Sequence, residues 1–124
     1  MRHHPLEDLG PCASVDDVAT LRAAAREVRV SDELRRYVVD VVRATRTAAG
    51  VQLGASPRAS LALIGAAQAL AVFDGHAFVA PEHVQELAVP VIAHRLALDP
   101  QARFAGATTS ATVEEIVKSV PVPA

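Results

Sequence analysis

From Leu34 to Thr45 the chain places Leu34, Tyr37, Val38, Val41, Val42 and Thr45 at i, i+3, i+4, i+7, i+8 and i+11, largely with polar residues between them. That spacing is the one-sided stripe of an amphipathic helix turned toward a core. Ser31 is its N-cap, with Asp32 and Glu33 in the first turn, and Gly50 sits at or just past the C-cap expected near Ala48-Ala49. Upstream, Ser14 and Asp17 read as a capping box for a helix whose Val18, Leu21, Ala25 and Val28 share a face. Downstream, Ser56 as N-cap and Pro57 at the first helical position open a helix running to about Phe73. It is apolar nearly all round, which predicts a central, buried helix closed by Asp74-Gly75-His76. Pro81 opens the next, with Val84, Leu87, Ala88, Val91 and Ile92 on one face and a kink or break expected near Glu86–Pro90. Asp99-Pro100 begins a looser stretch, Gln101 to Ala111, before Thr112 and Glu115 cap a last short helix ending near Ser119. Val28-Arg29-Val30 and Ala77-Phe78-Val79 are short and β-prone, the one candidate β pairing. The prediction is an all-α fold, a small helical bundle of four to five helices with one short β pairing.

Composition narrows the classes. The 124 residues suit one domain. Aromatics are only 3% with no Trp, so the core must be built from Ala, Val, Leu and Ile. A net charge of -2 counts against gripping nucleic acid through its phosphates. The single cysteine, Cys12, cannot close an internal disulfide. The most apolar stretch, Leu61 to Phe73, falls short of the roughly 20 residues that span a bilayer, and residues 1–10 hold no apolar signal core. The expectation is a cytoplasmic chain with no membrane insertion and no nucleic-acid partner. Residues 1–13 form an extension or linker, 14–120 the helical domain, and 121–124 a tail.

The usual enzyme motifs are missing. The sequence has neither GxxxxGK[ST] nor GxGxxG. Gly54-Ala55-Ser56-Pro57-Arg58 resembles a GxSxG nucleophile elbow only until its last residue, so Ser56 reads as a helix cap. His83 and His94 would stand about 16 Å apart on a continuous helix, too far to share a metal, and read with His76 as surface or capping residues. The carboxylates Asp16, Asp17, Asp32, Glu33, Glu114 and Glu115 are accounted for by helix starts. Arg58 breaks a local rule: a cation in a helix's first turn opposes the dipole by roughly 0.3–1 kcal/mol. Exposed amides beside a guanidinium make an anion site, and both favour a phosphate. Arg43 and Arg46 at the end of the preceding helix add positive potential, although cations there are also ordinary C-terminal residues. By physics alone, an Arg58 that extends into solvent or pairs with a carboxylate is the simpler account.

Taken in order, Val28-Arg29-Val30-Ser31, Tyr37-Val38-Val39, Arg43-Ala44-Thr45-Arg46, Leu53-Gly54-Ala55-Ser56-Pro57-Arg58-Ala59, Phe78-Val79-Ala80-Pro81-Glu82-His83-Val84 and His94-Arg95-Leu96 resemble the C-terminal helical lid of MoxR-type AAA+ ATPases. The resemblance runs from about Leu6 to Val122. It implies that Arg58 is the sensor-2 arginine, reaching the γ-phosphate of ATP held in a preceding core, with Ser56 and Pro57 at the start of the same site. It further implies a parent that hydrolyses ATP with Mg, a hexameric ring, and chaperone-like work on clients such as von Willebrand A-type proteins. Partners are then the lid's own AAA+ core and neighbouring subunits. The chain departs from the pattern at Gly75-His76-Ala77, where such proteins often carry a Gly-Arg-Asp-type turn. It also holds no Walker A, Walker B, sensor-1 or arginine-finger segment, so no catalytic residue and no tight nucleotide binding are expected of it alone. The alternative is a freestanding helical protein-interaction or histone-fold-like module.

Overall fold

The stripe from Leu34 to Thr45 organises the structure, a computed structural model describing residues 3–124. All six of its residues are buried, on helix α2 (Asp32–Thr47). Around α2 stand α1 (Val15–Glu27), α3 (Pro57–Phe73), α4 (Pro81–Ile92), the short α5 (Pro100–Phe104) and α6 (Thr109–Ser119). The expected all-α bundle is what forms, with six α-helices among the described residues rather than four or five. The core joins α2 to Ala59, Leu63, Ala67 and Ala71 of α3, to Val84, Ala88 and Ile92 of α4, and to Val113 and Ile116 of α6. No helix of the described residues is long and apolar enough to cross a membrane. Met1 and Arg2, the first two residues of the expected 1–13 extension, lie outside the described residues.

The caps explain most boundaries. Ser14 and Asp17 close both bonds of a capping box, the Asp17 N–H to Ser14 Oγ at 3.0 Å and the Ser14 N–H to Asp17 Oδ2 at 2.7 Å. Ser31 Oγ accepts the Leu34 N–H at 3.2 Å. Gly50 and Gly75, at φ +76° and +72°, turn the chain out of α2 and α3 in the left-handed region that side chains rarely adopt.

Several expectations are corrected. The stretch after Asp99-Pro100 contains α5, because Asp99 Oδ1 accepts the Ala102 N–H at 2.7 Å and Pro100 supplies a ready first turn. The last helix starts three residues before Thr112, since Thr108 is its cap, with its Oγ1 accepting the Ala111 N–H at 3.2 Å. Pro90 does not break α4, which runs through it to Ile92 before a 3-10 turn at Ala93–Arg95. Helix α3 is central without being buried all round: it packs on α1, α2 and α4 through every fourth residue and leaves Leu61 and Phe73 exposed. Helix α1 buries none of its own residues, so Val18 and Leu21 face outward more than their stripe predicted.

The β expectation holds at one point and misses another. Arg29 and Phe78 form a single parallel bridge, with the Arg29 N–H to Ala77 O at 3.1 Å and the Val79 N–H to Arg29 O at 2.9 Å. A second pairing, antiparallel between β1 (Val51–Leu53) and β2 (Ala97–Leu98), joins segments that carried no β expectation. Gln68, the polar interruption in α3, donates through Nε2 to Val28 O at 2.8 Å and tethers the α1–α2 connector.

Two outcomes follow. Leu63, 0% exposed, and Leu61, 73% exposed, are one helix face apart. Leu63→Ala should lower unfolding free energy by about 2–5 kcal/mol and Leu61→Ala by less than about 0.5 kcal/mol, measured by denaturant melts. The Ser14 backbone N–H, and secondarily its hydroxyl, hold the Asp17 carboxyl below the ordinary 3.8. Its contribution to the α1 cap is therefore present above that value and lost as pH falls through the depressed one. Carbon chemical shifts of residues 15–18 should report loss of helicity over that acid window, and Asp17→Asn should abolish the dependence.

Candidate functional site

Helix α3 begins unlike its neighbours. Ser56 occupies the N-cap position, extended at φ −77° and ψ 166°, yet its side chain makes no capping bond and the first turn holds no acid. The other long helices start with a capping side chain, an acid, or both. At α4 that side chain is His83, whose Nδ1 accepts the Ala80 N–H at 2.9 Å. Pro57 contributes no N–H, and the Ala59 N–H turns back to Ser56 O at 2.9 Å. Ser56, Pro57 and Arg58 are all exposed. Among the described residues Arg58 makes no ion pair and no hydrogen bond, so its guanidinium is free beside a helix end that its own sequence leaves uncompensated.

What fixes this helix end is the last turn of α2. Thr45, 0% exposed, donates its hydroxyl to Val42 O at 2.6 Å and accepts the Ala55 N–H on the same oxygen at 2.9 Å. Arg46 Nε donates to Ala55 O at 3.0 Å. Consecutive residues of α2 thus satisfy both backbone groups of buried Ala55, as a buried peptide requires. Gly54 permits the approach: a Cβ there would stand 2.7 Å from Arg46 Cα and Cγ.

The arginines expected near the site divide. Arg43 and Arg46 line one side of a groove of about 410 Å³ whose other side includes Pro57, Ser60 and Leu61. Arg58 lies outside that groove's lining. Arg46 is therefore in part a structural residue, a role its position at a helix C-terminus did not disclose. The sequence places Thr45 at the end of an apolar stripe and within the Arg43-Ala44-Thr45-Arg46 segment, without disclosing its bond to Ala55; the signal available is an aliphatic hydroxyl on a buried face.

The histidines also separate. His83 is 4% exposed, correcting the surface alternative in favour of capping. With Nδ1 accepting, the proton sits on Nε2, which faces Asp74 Oδ2 at 3.1 Å. His76 stacks on Phe78, ring centroids 5.9 Å apart, at the turn where the sequence departs from the Gly-Arg-Asp type. His94 and Arg95 are exposed in the 3-10 turn, Arg95 Nε donating to Val91 O at 2.9 Å.

A small helical bundle with this clamped, arginine-bearing helix start belongs to the AAA lid domain family, whose profile matches residues 43–116, more than half of the chain. Within that family it is a lid of the MoxR type. It is 34% identical over 119 residues to Chaperone MoxR1 of Mycobacterium tuberculosis, covering 89% of this chain and 32% of that protein. The protein YeaC of Bacillus subtilis, uncharacterised, is 40% identical over 122 residues, covering 98% of this chain and 38% of YeaC. The crystal structure of a presumed ATPase from Cytophaga hutchinsonii superposes with a TM-score of 0.83 at 30% identity, over 88% of this chain and 36% of that one. The chain spans about a third of the length of the relatives it matches.

The clamp sets a stability test. Gly54→Ala forces the 55–57 loop off α2, and Thr45→Val leaves the buried Ala55 N–H without an acceptor, a loss of about 1–3 kcal/mol. Thermal melts should show both variants destabilised, with Thr45→Ser close to the parent.

Proposed function

We propose that this chain is the lid of a MoxR-family ATPase in which Arg58 is the sensor-2 contact to the γ-phosphate of ATP. The observation that carries the reading is the free guanidinium at the uncapped, acid-free start of α3. A phosphate suits that place, since a helix start favours negative charge and an arginine forks onto phosphate oxygens. Arg58 would hold the phosphate, with Ser56 and Pro57 bounding the approach. In this reading ATP, with Mg, would be held and hydrolysed by an AAA+ core, and the lid would contribute the contact to the γ-phosphate. Loss of the γ-phosphate removes a charge-assisted bond on the lid, so the lid's preferred angle to the core changes with nucleotide state.

Residues 1–13 join residues 14–120 to that core, and 121–124 form a tail. Exposed apolar side chains, among them Leu61 and Phe104 at 73% and 97% exposure, provide contact area for the core and neighbouring subunits of a ring, taken as a hexamer. The relative named as a chaperone supports a chaperone role; we place that role in the cytoplasm, with von Willebrand A-type proteins as the client class that the MoxR resemblance suggests. A freestanding interaction module would need the same apolar surface, but the match of this chain to one third of longer relatives favours the lid.

In the intact ATPase, Arg58→Ala should lower ATP turnover about 10- to 100-fold, while the helical circular dichroism and melting temperature stay unchanged. Turnover equal to the parent's would overturn the assignment.

A further inference from the structure

We propose that Thr45 is a positioning residue for Arg58, with Arg46 as the second arm of the same clamp; the inference rests on the proposed sensor role of Arg58. Helix α3 is held to the core by Ala59, Leu63, Ala67 and Ala71, three of them alanines. Such contacts are non-directional and tolerate sliding along the axis. Directional bonds reach the start of α3 at Ala55, from Thr45 Oγ1 at 2.9 Å and Arg46 Nε at 3.0 Å.

Little torsional freedom separates this clamp from Arg58. Only Ser56 and Pro57 intervene: Ser56 is extended, the region a following proline favours, and Pro57 has its φ fixed by the ring. The Thr45 oxygen is itself aimed by its 2.6 Å bond to Val42 O, so it cannot rotate away without losing both partners. Fixing Ala55 against α2 therefore fixes the Arg58 backbone against α2. A buried threonine on the last turn of α2 sets where the guanidinium can reach. A displacement near 1 Å at a charge-stabilising group can lower a rate by as much as about 10²-fold.

Two readouts test this. In the 124-residue chain, Thr45→Val should speed hydrogen exchange at the Ala55 amide by at least about tenfold, and Thr45→Ser should restore protection. In the intact ATPase, Thr45→Val should lower ATP turnover about tenfold when Arg58 is present, and cause no further loss in the Arg58→Ala background. Thr45→Ser should restore turnover. A merely structural threonine would lower turnover by the same factor in both backgrounds, or leave it unchanged while the Ala55 amide opens; either result overturns the proposal. If Arg58→Ala alone has no effect, the sensor reading fails and the positioning role falls with it, whereas failure of the Thr45 cycle alone leaves the sensor reading intact. Should Thr45→Val not fold, Arg46→Lys decides the same cycle, since it keeps the charge and removes the Nε donor to Ala55 O.

Discussion

Both backbone groups of one buried alanine are bonded to consecutive residues of a neighbouring helix, and the placement of the candidate site depends on that clamp. Ala55 is 1% exposed and lies just before the start of α3. Its N–H and C=O would be costly to bury unpaired, and among the described residues no backbone group pairs with them. Thr45 and Arg46 do so because α2 presents them side by side on its last turn. A local demand for hydrogen-bond partners thereby becomes a long-range constraint, joining two helices at the end where the arginine emerges.

The same logic recurs at the other end of α3. The helix closes at Asp74, Gly75 reverses the chain, and His83 receives the next helix start on Nδ1 while its Nε2 faces Asp74. The Arg29–Phe78 bridge and the Gln68 side chain add the α1–α2 connector to this end. Polar groups thus set the geometry at both ends of a helix whose middle packs mainly through small side chains. An alanine-rich interface lets helices approach closely but gives little lateral specificity, so the hydrogen bonds at its ends supply the register.

Helix α3 also shows why a residue that violates a local rule is informative. The first turns of α1, α2 and α4 carry acids, in agreement with the dipole. At α3 the cap is silent and the first turn carries Arg58. Natural sequences depart from local consistency where function asks for it, and the phosphate contact proposed for Arg58 would account for this departure.

The sequence by itself determined the α2 stripe, the capping box of α1, the start of α3 at Ser56-Pro57 and the singular position of Arg58. All of these are written in spacings of a few residues, where helix period and cap chemistry act. It did not determine the β1–β2 pairing, the burial of His83, the outward faces of α1 and α3, or the clamp on Ala55. Strand partners more than 40 residues apart leave no periodic trace in segments of two or three residues. An apolar stripe shows which face prefers burial, but not whether another element arrives to cover it. A threonine at the end of such a stripe reads as a core residue until the fold brings a loop amide to its oxygen. Tertiary structure decided these features because each depends on which distant backbone groups are left unpaired once the helices have packed.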